Sequence, residues 1–278
     1  MNRDAWLPEP VVRISALRCE QAGRVVLDVP ALQIQAGERV AVVGHNGAGK
    51  STLLRCLSGF LRPTQGQLAV LGRRMDAGLT PRALRALRRD VGQVMQGLHL
   101  VGRLSALDNV LIGTLGHTRG AATWRSWAGC YAPQAVQAAH QALSAVGMAH
   151  ELSTRTDRLS GGERQKVALA RLLAQQPQII LADEPTASLD PAAAHEVCRL
   201  LTAAARGKTL LTVVHDTRVL PLLADRVIGL ARGRLAFDLP VTAVDQATLA
   251  ALYRQHPNPN PDGCETLDEP QHGAHQTA

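Results

Sequence analysis

The segment VVGHNGAGKST, residues 42–52, carries the first residues whose types and spacing suggest chemistry. It fits the pattern Gly-x-x-x-x-Gly-Lys-Ser, with Gly44, Gly49, Lys50 and Ser51 at the fixed positions. A loop of this kind points its backbone N–H groups at phosphate oxygens, and glycine permits the close approach. The lysine reaches the terminal phosphates, and the serine hydroxyl is suited to Mg²⁺. The predicted phosphate-binding residues are Gly44, His45, Asn46, Gly47, Ala48, Gly49, Lys50, Ser51 and Thr52.

The residues on either side of this loop provide the context that the motif requires. Residues 39–43 (RVAVV) are typical of a buried strand, and residues 50–60 (KSTLLRCLSGF) of a helix. The sequence therefore predicts a strand, a phosphate-binding loop and a helix in succession.

A second apolar strand, predicted at residues 178–183, ends in two acids, Asp183 and Glu184. In open α/β sheets, ligands bind at the carboxyl ends of the strands. Asp183 is therefore predicted to hold Mg²⁺, through water or through Ser51. Glu184 is predicted to orient and polarise the attacking water as a general base.

A third motif, LSGGE, begins at Leu159. Ser160 is a good helix N-cap, and Gly161 and Gly162 leave backbone N–H groups bare at a helix start, which is a ready anion site. The chain thus has two phosphate-binding elements about 110 residues apart, although one nucleotide needs only one.

Net charge and cysteine spacing indicate the classes of partner and the compartment, but they do not identify a single partner. The formal net charge is +7, and because residues 255–278 hold four acids and no lysine or arginine, residues 1–254 carry +11. A basic body suits nucleic acid, acidic lipid headgroups or nucleotide. The five cysteines are dispersed without a C-x-x-C pair, which favours a reducing compartment over a disulfide framework or a zinc site.

The chain shows no targeting or membrane-spanning pattern. Its start, MNRDAWLPEP, lacks the apolar core of a signal peptide, and its longest uncharged stretch, residues 127–150, is broken by Pro133 and several polar residues. We therefore expect a soluble, cytoplasmic protein whose membrane role, if any, comes through a partner.

The order of patterns predicts an α/β body with a helical insert. Short strands are predicted at residues 11–38 and 65–72, a basic helix at 82–89, a strand at 91–96, a helical region at 97–158, a helix at 163–176, strands at 178–183 and 209–215, and a hairpin at 226–238 turning at Arg232-Gly233. The proline-rich polar tail, residues 255–278, is predicted to be disordered.

Together, these motifs resemble those of the ATP-binding-cassette ATPases, whose signature is LSGG followed by Gln or Glu. The resemblance covers residues 11–254 and implies an α/β fold with a RecA-like P-loop NTPase core, an antiparallel β-subdomain and an α-helical insert at about 97–158. It also implies a head-to-tail homodimer, in which the glycine-rich loop of one subunit faces the signature of the other across ATP. The two phosphate-binding elements are then explained.

The resemblance assigns further residues one by one. Gln96 fits the glutamine loop, which contacts the metal and the attacking water. The SLD segment, residues 188–190, fits the loop at the dimer interface, and His215 fits the histidine that contacts the γ-phosphate. The implied catalytic residues are Glu184, His215, Gln96 and Lys50; the implied metal ligands are Ser51, Gln96 and Asp183; and the implied signature-side nucleotide contacts are Ser160, Gly161, Gly162 and Asp190.

Four stretches resemble the ATP-binding subunit of bacterial phosphonate importers. These are residues 84–116, the TWRSW segment at 123–127, residues 173–191 and residues 226–238. Trp124 and Trp127 are expected to pack inside the insert, with contact to the membrane partner as the alternative. The sequence departs from the family pattern in two places. The family stacks an aromatic residue on adenine at a position near Glu20-Gln21 of this chain, yet no aromatic residue lies between Leu7 and Gly59. The glutamine loop reads VMQGLHL, where FQQFNL is common.

The expected function is hydrolysis of MgATP to drive a membrane permease for phosphonates or a related oxyanion such as phosphite. Expected partners are a second copy, the permease and, indirectly, a periplasmic or surface solute-binding protein, with the chain at the cytoplasmic face of a bacterial membrane and no nucleic acid bound. The alternatives are a cassette protein acting on DNA or ribosomes, an accessory subunit of phosphonate degradation, and an importer of another solute.

Overall fold

The computed structural model describes residues 9–118, 130–187 and 189–254. The strands are β1 Val12–Gln21, β2 Arg24–Ile34, β3 Arg39–Val43, β4 Gln65–Val70, β5 Arg73–Arg74, β6 Val91–Val94, β7 Ile179–Asp183, β8 Thr209–Val213, β9 Arg226–Ala231 and β10 Arg234–Pro240. The helices are α1 Lys50–Leu57, α2 Pro81–Asp90, α3 Ala106–Thr114, α4 Pro133–Ala145, α5 Gly161–Gln175, α6 Pro191–Ala204, α7 Leu220–Leu223 and α8 Gln246–Arg254.

The strands form one sheet with the order β5-β4-β1-β2-β10-β9-β3-β8-β7-β6. From β9 to β6 all neighbours are parallel, whereas β1 is antiparallel to both β2 and β4. Strand β10 joins the two halves, antiparallel to β9 and parallel to β2 at the single pair Arg234–Asp28. The predicted α/β fold with an antiparallel β-subdomain is confirmed.

Helix α1 lies in the hydrophobic core that the two halves of the sheet share. Leu53, Leu54 and Leu57 are at most 1% exposed, and they belong to one cluster with Leu17 and Leu27 of the antiparallel half and with residues of β3, β7, β8 and β9. Because both halves pack on α1, the phosphate-binding loop at its start is held by the core of the molecule.

The parallel strands are buried on both faces. Every residue of β7 and of β8 is buried, as expected for strands covered by α1 on one side and helices on the other. The second core cluster combines these strands with α3, α4, α5 and α6. The carboxyl ends of β3, β7 and β8 therefore meet at one edge of a rigid sheet.

The region predicted as a helical insert contains α3 and α4, which pack on α5. Ser105 caps α3, since its hydroxyl accepts from the Asp108 amide at 3.0 Å. Trp124, Trp127 and the tail, residues 255–278, lie outside the described residues. The predicted domain limits, 1–254 and 255–278, remain predictions.

Several predicted boundaries were wrong by a few residues. Helix α1 ends at Leu57 rather than at residue 60, because Gly59 adopts φ +70° and the Phe60 amide donates back to the Arg55 carbonyl at 2.9 Å, which closes the helix. Strands β6 and β8 end at Val94 and Val213, so that Gln96 and His215 lie in loops. The predicted hairpin turn at Arg232-Gly233 is confirmed, with φ of +51° and +77°.

No helix among residues 9–118, 130–187 and 189–254 is long and apolar enough to span a bilayer.

Candidate functional site

The phosphate-binding loop follows β3 and requires glycine at two positions. Gly44 adopts φ +153°, and a Cβ there would lie 2.2 Å from the Leu230 carbonyl oxygen. Gly49 adopts φ +99°, and a Cβ there would lie 2.8 Å from the Val26 carbonyl oxygen. Side chains at these positions would therefore collide with backbone as well as strain the loop.

Lys50 is folded back onto its own loop. Its Nζ donates to the Gly44 carbonyl at 2.7 Å and to the His45 carbonyl at 3.1 Å, and the residue is only 6% exposed. Burial lowers the pKa of Lys50, and the carboxylates of Glu184 and Asp183 oppose that shift. A buried cation held by neutral carbonyls is prepared to turn towards an anion that enters the loop.

Ser51 and Asp183 meet between α1 and the end of β7, where the Ser51 hydroxyl donates to the carboxylate. Asp183 is 7% exposed, and burial followed by the neighbouring Glu184 raises its pKa, against the Ser51 hydrogen bond and Lys50. A buried carboxylate beside a second acid calls for a cation, and a hydroxyl with a carboxylate is the oxygen set that Mg²⁺ prefers. These residues therefore fit the predicted metal.

Glu184 directly follows β7 in an unusual backbone conformation. Its φ is +49°, in the left-handed region that residues other than glycine seldom adopt. The turn is held because the Glu184 amide donates to the Val213 carbonyl at 3.2 Å, and its carbonyl accepts from the Ala187 amide at 3.0 Å. This backbone directs the Glu184 side chain into the cavity beside the phosphate-binding loop.

That cavity has a volume of about 680 Å³ and gathers most of the predicted residues. Its lining consists of Val26, Asn46, Gly47, Ala48, Gly49, Lys50, Ser51, Thr52, Gln96, Glu184, Ala187 and His215. Loops after four parallel strands, β3, β6, β7 and β8, thus converge at one edge of the sheet. Val26 and Ala187 were not predicted, and among the described residues the lining includes no aromatic side chain.

The predicted signature residues lie outside this cavity. Ser160 forms a capping box with Glu163: its amide and hydroxyl donate to the Glu163 carboxylate at 2.8 and 2.7 Å, which lowers the pKa of that acid. Gly161 is exposed at the first turn of α5 and Gly162 is half-buried. Within one chain, the bare amides of this helix start do not face the phosphate-binding loop.

Comparison with known proteins decides the family. Residues 27–187 match the model of the family described as ABC transporter.

The chain belongs to the ABC transporter family.

Its relatives within the family include proteins named as phosphonate import subunits. One, the "Phosphonates import ATP-binding protein PhnC" of Anaeromyxobacter dehalogenans (strain 2CP-C), is 45% identical over 245 residues, which cover 86% of this chain and 48% of the relative. Another, from Rhodopseudomonas palustris (strain BisB18), is 39% identical over 246 residues, 87% of this chain and 89% of that protein. The chain spans about half of the former and most of the latter. The resemblance to phosphonate importer ATP-binding subunits is confirmed.

A solved structure with the same fold is that of the ATP-binding cassette MJ0796, a dimer in a post-hydrolysis state bound to ADP and phosphate. It aligns with a TM-score of 0.72 and 29% identity, over 83% of this chain and 98% of that one. The cassette cbiO1 from Clostridium perfringens aligns with a TM-score of 0.72 and 26% identity, over 88% and 94% of the two chains. The present chain is thus an ABC ATP-binding cassette.

Asp190, which the sequence resemblance assigns to the dimer interface, has a structural contact in this chain. Its carboxylate accepts from the amides of Ala192 and Ala193 at 3.0 Å each and so caps α6. The adjacent Leu189 side chain lies 3.9 Å from the position that a Cβ on Gly161 would take. The loop is therefore next to the signature helix within one chain; Ser188 lies outside the described residues.

Two residues near the site were missed from the sequence. Arg171, on the signature helix α5, donates to the carbonyls of Leu98 and His99 at 2.6 and 2.8 Å, immediately after the Gln96 loop. Tyr253, on α8, lies against the phosphate-binding loop: burial raises the pKa of its phenol, and the Gly44 backbone opposes this. Neither residue belongs to a motif, so no sequence signal connected them with the site.

Proposed function

We propose that this ABC cassette is the ATP-hydrolysing subunit of an importer for phosphonates or a related phosphorus oxyanion such as phosphite. The observation that carries the ATPase part is the meeting of Lys50, Ser51, Gln96, Glu184 and His215 around one cavity. The phosphonate part is supported by relatives of that name over most of this chain.

The phosphates of ATP are held by the loop. Its glycines let backbone N–H groups approach the phosphate oxygens. Lys50 exchanges its two carbonyl partners, those of Gly44 and His45, for the terminal phosphates, and the low exposure of the ammonium strengthens that attraction. Burial disfavours the charged form of Lys50, and a phosphate anion beside the ammonium offsets that cost. Nucleotide binding is therefore favoured at this position.

Mg²⁺ is held in this proposal by Ser51, Asp183 and Gln96. The hydroxyl and the carboxylate already contact each other, and Gln96 lines the same cavity. Held by these residues, Mg²⁺ would neutralise charge on the terminal phosphates and offset the repulsion between the buried Asp183 and Glu184.

Glu184 is the proposed general base. Its left-handed backbone points the carboxylate into the cavity, where it accepts a hydrogen bond from water and polarises it for attack on the γ-phosphate. His215, exposed in the loop after β8, is the proposed γ-phosphate contact, and Gln96 completes the arrangement from the loop after β6.

A second copy completes the site. Ser160, Gly161 and Gly162 present a helix N-terminus that lies outside the cavity of their own chain. A helix N-terminus attracts phosphate, so a head-to-tail homodimer brings these groups to the partner's nucleotide. The MJ0796 cassette is dimeric in its post-hydrolysis state, which supports the same arrangement here.

The proposed permease contact is an arginine-lined groove of about 940 Å³ between α2, α3 and the signature helix. Arg82, Arg85, Arg88 and Arg89 of α2 form one wall, and Ile112 and Leu115 of the insert another. Because the groove joins the core to the insert, a permease segment bound there senses their relative movement. We propose that the chain acts at the cytoplasmic face of a bacterial membrane, with a solute-binding protein as an indirect partner.

Affinity purification of the tagged chain from its native host in mild detergent tests this assignment. Two integral membrane proteins should be recovered in stoichiometric amounts, and a solute-binding protein should join when phosphonate is added. Recovery of ribosomes, DNA or phosphonate-degrading enzymes without membrane proteins would instead favour the non-transport alternatives.

A further inference from the structure

The structure brings together two cysteines that the sequence keeps 37 residues apart. Cys19 lies on β1 and Cys56 on α1, and their sulfur atoms are 3.4 Å apart. The two residues are 1% and 0% exposed. A disulfide needs an S–S distance of about 2.0 Å, so the sulfurs must approach each other by roughly 1.4 Å.

The two cysteines lie on elements next to the proposed nucleotide site. Helix α1 begins with Lys50 and Ser51, and Cys56 lies less than two turns further along the same helix. Strand β1 belongs to the antiparallel half of the sheet and ends at Gln21, where the sequence predicts the adenine side of the site. A covalent link between them would fix the phosphate-binding helix to the antiparallel half.

We propose that Cys19 and Cys56 are a redox modification site, which hydrogen peroxide converts into a reversible disulfide that slows ATP hydrolysis.

The chemistry of the pair is asymmetric. Either sulfur can donate the hydrogen bond that joins the pair. Its contact with Cys56, together with the Thr64 backbone, lowers the pKa of Cys19 against the effect of burial. The same contact and burial raise the pKa of Cys56. The lower pKa makes Cys19 the nucleophile and Cys56 the resolving thiol, and because both residues are buried, peroxide reaches them only through local opening of the protein.

The step balances with peroxide as the oxidant. The Cys19 thiolate attacks one peroxide oxygen, the O–O bond breaks, and hydroxide leaves with a proton to form water, which gives a sulfenic acid on Cys19. The Cys56 sulfur then attacks the Cys19 sulfur, loses its proton and expels a second water. Two thiols and one peroxide thus yield one disulfide and two waters.

The expected effect on rate follows from the displacement. The bond ties α1 to β1, and whatever part of the roughly 1.4 Å gap side-chain rotation does not close must move α1. A misplacement of 1 Å at a reacting site can cost up to about 10²-fold in rate. We expect the oxidised cassette to hydrolyse ATP at least about fivefold more slowly and to recover on addition of dithiothreitol.

The experiment uses the full-length reduced protein, treated with increasing hydrogen peroxide, alkylated, unfolded and digested with trypsin. Peptide 19–24 should appear joined to peptide 56–73, two hydrogens lighter than the sum of the two. The rate loss should accompany the linked peptide and disappear in Cys19→Ala and Cys56→Ala, each checked for folding by its melting temperature.

Cys198 provides the matched control. It is buried on α6 in the other core cluster, and burial raises its pKa to about 11. Cys198→Ala should therefore leave peptide linkage and rate loss as in the unmodified chain. Absence of the linked peptide at peroxide levels that oxidise exposed Cys130 would overturn the proposal, as would a linked cassette that keeps its full rate. The peptide mass does not depend on the proposed ATPase activity, so the two claims can fail separately.

Discussion

The Arg171 guanidinium donates to the Leu98 carbonyl at 2.6 Å and, through its other terminal nitrogen, to the next carbonyl at 2.8 Å. Leu98 and His99 both adopt left-handed backbone, with φ of +53° and +46°. A charged donor on the signature helix thus stabilises a strained loop that begins two residues earlier at Gln96. Movement of the signature helix and movement of this loop are thereby linked.

Replacing Arg171 should loosen that loop. Arg171→Ala removes two charge-assisted hydrogen bonds, each worth about 1.5–3 kcal/mol, so the free energy of unfolding should fall by roughly that amount or more. Arg171→Lys should restore only part of the lost free energy of unfolding, because an ammonium group lacks the planar guanidinium geometry that bonds two carbonyls at once. Urea unfolding followed by circular dichroism measures both. Exposed Arg164 on the same helix is the control, and equal stability of Arg171→Ala and Arg164→Ala would show that the two bonds contribute little.

Glu184→Gln should nearly stop hydrolysis while ATP still binds. Loss of a general base costs about 10²–10⁴-fold, whereas the loop that holds the phosphates is untouched. ATP should then hold the cassettes as a dimer on size exclusion. Glu9→Gln, a change of the same kind at an exposed residue outside the cavity, should keep its rate. If Glu184→Gln hydrolysed ATP at most of the original rate, the base would have to be another group.

Asp183→Asn should stabilise the nucleotide-free cassette. Burial raises the pKa of Asp183 above its value in the unfolded chain, so the folded state holds the proton more tightly. As pH rises from the unfolded pKa through the folded pKa, the carboxylate loses that proton and the free energy of unfolding falls. At neutral pH the amide removes this cost and can still accept from Ser51. Thermal unfolding in EDTA should show a melting temperature higher by roughly 2 °C or more. When Mg²⁺ and ATP are added, the melting temperature of the unmodified chain should rise strongly and that of Asp183→Asn should not. A melting temperature of Asp183→Asn in EDTA below that of the unmodified chain would contradict the predicted stabilisation.

Charge reversal in the groove should uncouple the cassette from its permease. Arg85→Glu reverses a charge in the wall formed by α2, which should weaken binding of the permease segment without touching the nucleotide cavity. Basal ATPase should stay unchanged, and stimulation by the permease in proteoliposomes should fall at least about tenfold. Arg206→Glu, at an exposed position in the turn after α6, is the matched control. Full stimulation of Arg85→Glu would exclude this groove as the contact.

The motif residues could be predicted from sequence because each motif is contiguous and specifies its own local backbone. Residues 44–52 form one loop and the first turn of α1, and Asp183 and Glu184 stand at the end of one buried strand, so their convergence follows from parallel strands sharing an edge. The predicted ends of α1, β6 and β8 were too late, because caps and loop contacts from distant residues decide where an element stops.

What the sequence did not predict depends on side chains from separate elements. Arg171 binds carbonyls more than seventy residues away, and Cys19 meets Cys56 only because α1 packs against β1. Val26 enters the cavity through the register of β2 with its neighbours. Such contacts carry no local pattern, since they follow from tertiary packing rather than spacing along the chain.

Import of a phosphorus oxyanion driven by ATP can be followed through the ATPase rate of the assembled transporter. The importer, reconstituted in proteoliposomes with its permease and solute-binding protein, is assayed for ATP hydrolysis with methylphosphonate, phosphite, an amino acid or a metal ion. We predict that a phosphonate or phosphite raises the rate and that the same addition does nothing with Glu184→Gln. Stimulation by the amino acid or the metal ion, with no response to either phosphorus compound, would contradict the account.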